Sequence, residues 1–509
     1  MSEFLSLLSS QVTIPKRGRP VRKRKKPNLT SQIGRKRFIQ EVSNATVMND
    51  AIYDCGRMSS VCDQCEALHF VGEQTKSDHK SQRHYRGCCH NGKVSITLNE
   101  VPSSFQNLLN QSSFRKSFRI YNNALSMASL QVKSREFSNR GPQAIVACGQ
   151  VYHRVSSACP TNENQPKFVQ LYFLDSNLAN EKRIQSCSSL DRNFLDQCVN
   201  ILEECNNPYV SSLRNMRDVA VSENANHLRL EFADHPDISA RTYARPQVSQ
   251  IAAVFESPAG EVPTTRLYIT YEQSGLCRDI DTTSPHLDPM LYPLVNLYGE
   301  LGWTTGISQQ STSDNSSARS VTELQYYQYL LAVRGKKSIL HQSASLFQQI
   351  IIDYFLRIEG SRLKFIRLNQ SKLRVDLYKG LQDALNTMAE RSNSRIGKMI
   401  VLPSTHIGGP RYQQQSFQDA LAIVQQHGKP DLFLTFTCNP KWVEITREIG
   451  DEQAINRPDI VARVFYLKLQ ELMRVILDEK WLGDVTAYLY VIEFQKRGML
   501  IIVILPIIY

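Results

Sequence analysis

Asp431 to Pro440 (DLFLTFTCNP) and Leu489 to Met499 (LYVIEFQKRGM) are the two stretches that decide how this chain reads. Each is a short apolar run, rich in aromatic and β-branched residues and closed by a breaker, so each predicts a strand. Between them, Arg457 to Trp481 repeats apolar residues at helical spacing (Val461, Val464, Phe465, Leu467, Leu469, Leu472, Val475, Ile476), with Pro458 suited to a first turn. Strand, helix and strand then run into LIIVILPIIY, Leu500 to Tyr509.

CNPKW (438–442) and VIEFQKRGM (491–499) resemble the amino-terminal replication-initiator region of Helitron transposon proteins, the helitron helicase-like domain. Family members normally continue after the Arg-Gly with Pro-His-Ala-His-Ile-Leu, and its two histidines form the HUH metal pair. The aligned positions here are Leu500 to Leu505, with Ile501 and Val503 in place of the histidines. Alternation on a strand puts 501 and 503 on one face. Neither aliphatic side chain has a donor atom for the family's catalytic divalent metal, so that metal is not expected to bind.

The resemblance implies a relative of rolling-circle nucleases, in which a metal polarises a phosphate and a tyrosine attacks it, with a helicase domain following. The nucleophile tyrosines expected beyond the histidines have no counterpart here, since Tyr509 lies too close to the altered motif. Nor is there a G-x-x-x-x-G-K-[ST] loop: Gly335-Lys336-Lys337 and Gly428-Lys429-Pro430 both fail the pattern, so no ATP site is expected. Glu493 and Gln495 would share the face of 501 and 503, and Lys496 and Arg497 could hold a DNA phosphate.

With 509 residues there is room for several domains, and the net charge of +12 invites a nucleic-acid reading. Residues 1–40, however, carry eleven Lys/Arg against the single acid Glu3, which leaves only +2 on the rest. The charge centres on Lys16, Arg17, Arg19, Arg22, Lys23, Arg24, Lys25 and Lys26, too polar a run to pack and therefore expected to be disordered. It suits a nuclear-import signal or a DNA-binding arm, and Lys16 to Pro20 (KRGRP) resembles an AT-hook core for an A·T-rich minor groove. A merely solvated tail is the plain alternative. Neither a secretory signal nor an apolar run of roughly twenty residues is found, so an intracellular, nuclear protein without a membrane partner is expected. Single-stranded DNA or A·T-rich duplex and the import machinery are the expected partners.

Residues 55–90 hold five of the twelve cysteines and four of the eleven histidines. Cys62-x-x-Cys65 places two thiols on one turn, and tetrahedral zinc needs two more ligands. Cys88 and Cys89, or one of them with His84 or His90, would complete a structural site, although adjacent cysteines are not expected to share one ion easily. A knot of buried thiols is the alternative. The same segment, with Ala67 to Phe70 and Gly92 to Val94, also matches Helitron wording.

The fold class expected is α+β. It divides into a basic arm (1–50), a Cys/His-rich knot (51–100), an α+β region (101–285), a helix-rich region (286–396) and an incomplete Rep-like antiparallel sheet (397–509). Within these, 143–146 and 151–155 read as a hairpin, Phe168 to Leu174 as a strand and Asp191 as a helix cap. Val321 to Arg334, Ser345 to Ser361, Lys372 to Met388 and Gln413 to Gln426 read as helices. Tyr326, Tyr327 and Tyr329 could stack bases but fit core packing better, and His153, His227 and His235 stand alone. His286 to Trp303 (HLDPMLYPLVNLYGELGW) again carries family wording. Three functions are open: an eroded initiator that binds DNA without cutting it, an active nuclease–helicase of which this chain is an incomplete sequence, or a purely structural, domesticated zinc and AT-hook protein. The Ile-rich end, unpaired, predicts poor solubility.

Overall fold

The computed structural model describes residues 12–13, 53–75, 85, 87–135, 146–159, 166–222, 228–232, 252–256, 267–271, 277–310, 319–335, 338–370, 400–494 and 500–508. The basic run 15–27, the helix read at 372–388, Gln495, Lys496, Arg497, His79, His84, His227 and His235 lie outside these residues. No described helix is long and apolar enough to cross a membrane.

In chain order the strands β1 (Val12–Thr13), β2 (Ser60–Val61) and β3 (Leu68–His69) come first. Helices α1 (Ser103–Leu109) and α2 (Ser112–Leu125) lead to β4 (Ser129–Arg135) and β5 (Val146–Val155). Next are α3 (Ser176–Ser186), α4 (Arg192–Glu204) and α5 (Pro208–Ser222), then β6 (Leu228–Phe232), β7 (Ala252–Glu256), β8 (Tyr268–Tyr271) and β9 (Arg278–Asp279). Short α6 (Leu287–Leu291), α7 (Glu323–Leu330) and α8 (Ile339–Gln342) precede the long α9 (Ser345–Leu368). The chain closes with α10 (Pro410–His427), β10 (Leu434–Thr437), α11 (Val443–Ile449), α12 (Pro458–Leu477), β11 (Val485–Phe494) and β12 (Leu500–Ile508).

The expected α+β class holds, with small sheets whose described ladders are all antiparallel. Helix starts follow their caps: Asp191 accepts from the Phe194 amide at 3.1 Å, and Thr322 with Gln325 forms a reciprocal capping box.

Two readings change. The hairpin read over 143–155 is not formed in its described residues, 146–155. Val146–Val155 is one strand against β4, and the Gly149-Gln150 that looks like a turn falls where the register slips between Gln131 and Lys133, as a bulge. Phe168–Phe173 is a 3-10 turn, not a strand. Val169, Leu171 and Tyr172 are all buried, which alternation cannot supply, and Gln170 braces the turn by accepting from the Lys167 amide at 2.9 Å and donating to the Ser157 carbonyl at 3.2 Å.

Two apolar cores result. The larger gathers α1, α2, α4, α5, residues 286–303, α7 and α9; Tyr326, Tyr327 and Tyr329 are buried in or against it, as core residues. A chain of charge runs through it. His153 bonds Asp353 at 2.7 Å, Tyr292 donates to Asp353 at 3.0 Å, and Arg357 bridges Asp353 (3.1 Å) and Asp288. The Arg357 guanidinium lies over the Tyr327 and Tyr354 rings, 5.2 and 5.0 Å from their centroids. Burial raises the Asp288 carboxyl despite this cation; for Asp353 burial is outweighed by Arg357 and His153, which hold it low. The family phrase at 286–303 therefore serves packing. A Cβ on Gly302 would stand 2.6 Å from the Asp288 carboxylate, and Gly299 combines φ +71° with a Cβ position 2.8 Å from the Pro208 ring.

His341 is buried between the cores and bonds the Leu331 carbonyl at 3.2 Å. Burial, only partly offset by Asp459, lowers its pKa to about 4. The unfolded chain, with an ordinary imidazole near pH 6.5, takes the proton first, so stability falls as pH drops from about 6.5 to 4. His341→Gln, which keeps a donor, is expected to remove about 2 kcal/mol of the loss between pH 7 and pH 5 in denaturant titrations. An unchanged pH slope in the variant would contradict this.

The smaller core lies between α12 and the C-terminal sheet, whose strand order is β1-β11-β12-β10. Val464 and Phe465 of α12 meet Ile492, Ile502 and Ile504 there. The Ile-rich strand is thus paired on both sides, by β11 and β10, and the expectation of an unpaired apolar end is corrected. Each buried isoleucine favours this arrangement by roughly 1.5–3 kcal/mol.

Candidate metal centre and the altered sheet face

The Cys62-x-x-Cys65 turn closes through the Glu66 amide on the Cys62 carbonyl (2.9 Å), and Glu66 takes a left-handed φ of 59°. Cys88 and Cys89 arrive from a second turn in which His90, Asn91 and Gly92 are all left-handed, with φ of 52°, 59° and 77°. That tight turn brings both neighbouring thiols to the Cys62 and Cys65 sulfurs, an arrangement in which adjacent cysteines could share an ion.

The four sulfurs of Cys62, Cys65, Cys88 and Cys89 all lie within 4.8 Å of one another. Cys62 and Cys89 are 3.8 Å apart, and Cys88 and Cys89 are 4.0 Å apart. Four thiolates at Zn–S distances of about 2.3 Å have tetrahedral edges of about 3.8 Å. Cys62, Cys88 and Cys89 are buried, Cys65 is half-buried, and the Gly92 amide donates to the Cys89 sulfur at 3.3 Å. Hydrogen bonds with Cys65 first, then Cys88 and Cys89, draw the Cys62 thiol far below its ordinary pKa. The contact with Cys62 pushes Cys88 and Cys89 far above theirs. One thiolate thus suppresses the next, and a bound cation is what lets all four ionise. The residues fit a metal ion such as zinc.

The described histidines of this segment take other roles. His69 bonds Glu73 at 3.1 Å and stacks on Tyr85 with centroids 3.9 Å apart, while His90 bonds Gln328 at 2.8 Å. A second grouping, Asp54, Cys55 and Glu444, is already served by the protein's own cations: Lys468 is 2.6 Å from Glu444 and Arg447 is 2.6 Å from Asp54. Burial pushes the Cys55 thiol up to about 12, so it stays protonated.

At the sheet, Ile501 pairs with Glu493 and Thr437, and Val503 with Val491 and Thr435. Ile501 and Val503 are half-buried, whereas Glu493, Thr435 and Thr437 are exposed. The other face of β12 (Leu500, Ile502, Ile504) belongs to the core. The 501/503 pair therefore shares one face, as alternation required, and among the described side chains beside it Glu493 is the one carboxylate.

Residues 326–502 match the family model described as the Helitron helicase-like domain at the N-terminus. This stretch is similar to the Helitron helicase-like domain. No curated protein matches the chain. The match supports an N-terminal region of a Helitron transposon protein, and the family suggests interaction with nucleic acid. The Helitron-like stretch opens in α7, takes in α8 to α12 with β10 and β11, and ends at Ile502 inside β12. The cysteine cluster precedes it but docks on it. Arg334 donates to the Cys65 carbonyl at 3.0 Å, and the Leu68 amide donates to the Val333 carbonyl at 2.7 Å. Sequence patterns carry no sign of these contacts, nor of the links from Asp353 and Arg357 to His153, Asp288 and Tyr292, because those partners are distant along the chain.

Proposed function

We propose that this chain is a DNA-binding derivative of a rolling-circle replication initiator, and that with Ile501 and Val503 in place it does not cut DNA. The observation that carries the reading is the replacement of the family's metal-binding pair by Ile501 and Val503 on a face that offers no imidazole among the described residues. Zinc at Cys62, Cys65, Cys88 and Cys89 would have a structural role, since four thiolates leave no open position for substrate. The basic run from Lys16 to Lys26 supplies DNA contact and nuclear import, with Lys496 and Arg497 as additional phosphate contacts.

The test is a nicking and covalent-adduct assay on single-stranded DNA with magnesium or manganese, run beside Ile501→His/Val503→His. The expected result is DNA binding by both proteins and no cleaved or protein-linked DNA from the unaltered chain. Metal-dependent cleavage by the unaltered chain overturns the reading. Cleavage only by the double variant supports it and identifies the two aliphatic residues as the lesion.

A further inference from the structure

Residues 53–75 contribute to both cores. Cys62 belongs to the larger one with Cys88 and Cys89, whereas Cys55, Met58 and Phe70 on either side belong to the smaller one with Val464 and Phe465 of α12. The polar contacts divide in the same way. Toward the helical body, Cys65 and Leu68 bond Arg334 and Val333, and Ala67 forms a β-bridge with Arg334. Toward α12, Arg463 donates to Glu73 from Nε at 2.6 Å and from Nη2 at 2.5 Å, and to the Leu68 carbonyl at 3.0 Å.

Between these two ends lies the two-rung β2–β3 hairpin, pairing Ser60 with His69 and Val61 with Leu68, immediately before Cys62. His69 fills the gap, bonded to Glu73 and stacked on Tyr85, whose hydroxyl reaches Ser60 at 2.5 Å. Direct contacts thus run from the thiol-bearing turn to the α12 arginine. Gln348 of α9, donating to the Ile455 carbonyl, is a separate polar tie between the helical body and the sheet region.

We propose that metal binding at the four cysteines is coupled to the Arg463–Glu73 pair, so that the bound ion clasps α12, and the C-terminal sheet packed on it, to the helical body. This rests on the metal reading above. Such coupling is reciprocal: if the ion strengthens the clasp, breaking the clasp must weaken the ion's binding by the same factor. Glu73→Gln keeps the side-chain shape, touches no thiol and removes the charge that Arg463 holds. Arg463→Lys keeps the charge but loses the two-pronged fork. Arg474→Gln, on the same helix but paired with half-buried Glu471 and exposed Glu479, is the control.

The full-length proteins are titrated with cobalt(II), read by the thiolate-to-cobalt absorption, then back-titrated with zinc, with circular dichroism confirming the fold. Glu73→Gln is expected to bind roughly five- to fifty-fold more weakly, Arg463→Lys less weakly than that, and Arg474→Gln like the unaltered chain. Unchanged affinity in a folded Glu73→Gln or Arg463→Lys chain overturns the coupling while leaving the metal site standing. Absence of the cobalt band in the unaltered chain overturns the metal reading, and the coupling with it.

Discussion

Arg357→Met is expected to lower folding stability by roughly 3–5 kcal/mol, the cost of leaving a buried charge without its partner. Arg357 is buried, and its guanidinium faces two carboxylates that are themselves buried, Asp288 and Asp353. Methionine fills a similar volume, so the loss reports charge and hydrogen bonding, not a cavity. Among the described residues the carboxylates would then be left with tyrosine hydroxyls and His153 as side-chain partners. Adding Asp288→Asn and Asp353→Asn to the same chain removes the stranded charge and should recover much of the loss. Arg357→Lys should fall between, because one ammonium cannot span two carboxylates as the fork does. Urea unfolding of the four proteins provides the check. A cost below about 1 kcal/mol for Arg357→Met would mean that the network is not what holds α9 to residues 286–303.

Cys88→Ser is expected to abolish stoichiometric zinc and to cost on the order of 5 kcal/mol, part of the roughly 10–16 kcal/mol apparent for structural zinc sites. The unaltered chain should carry one zinc per molecule through gel filtration, measured by elemental analysis. Cys55→Ser serves as the matched control: it too is a buried thiol, but it belongs to the α12 core and not to the four-sulfur cluster. Its zinc content should be unchanged. If no variant alters metal content and Cys88→Ser costs only as much as one buried thiol, the cluster is a packing knot and not a metal centre. Exhaustive chelation of the unaltered chain should reproduce the Cys88→Ser phenotype.

Much of the local structure was legible in the residues. Pro458 and the apolar spacing behind it mark α12, Asp191 marks a helix start, and the runs read at 431–440 and 489–499 overlap the strands Leu434–Thr437 and Val485–Phe494. The resemblance to the Helitron motif is what marks Ile501 and Val503 as standing where imidazoles are usual. Side-chain chemistry and strand alternation add only that they lack donors and share a face, and the register of β12 puts both on one face. These features depend on neighbours within a few residues, where periodicity, caps and breakers act directly.

The misread segments show where that reasoning stops. Gly149-Gln150 has turn chemistry, yet the long pairing partner β4 absorbs it as a bulge. Phe168 to Phe173 has strand composition, yet burial on every side winds it into a turn. Residue order alone was enough for the helices and strands of the C-terminal region, for Cys62, Cys65, Cys88 and Cys89 as candidate ligands with His84 and His90 as alternatives, and for the lack of a donor at 501 and 503. It took the packed chain to bring all four thiols together, to set Asp288, Asp353 and Arg357 in one buried site, and to carry Glu73 to Arg463. Most of those contacts join residues far apart in sequence. Their geometry is set by how two apolar cores pack, and no local pattern encodes it.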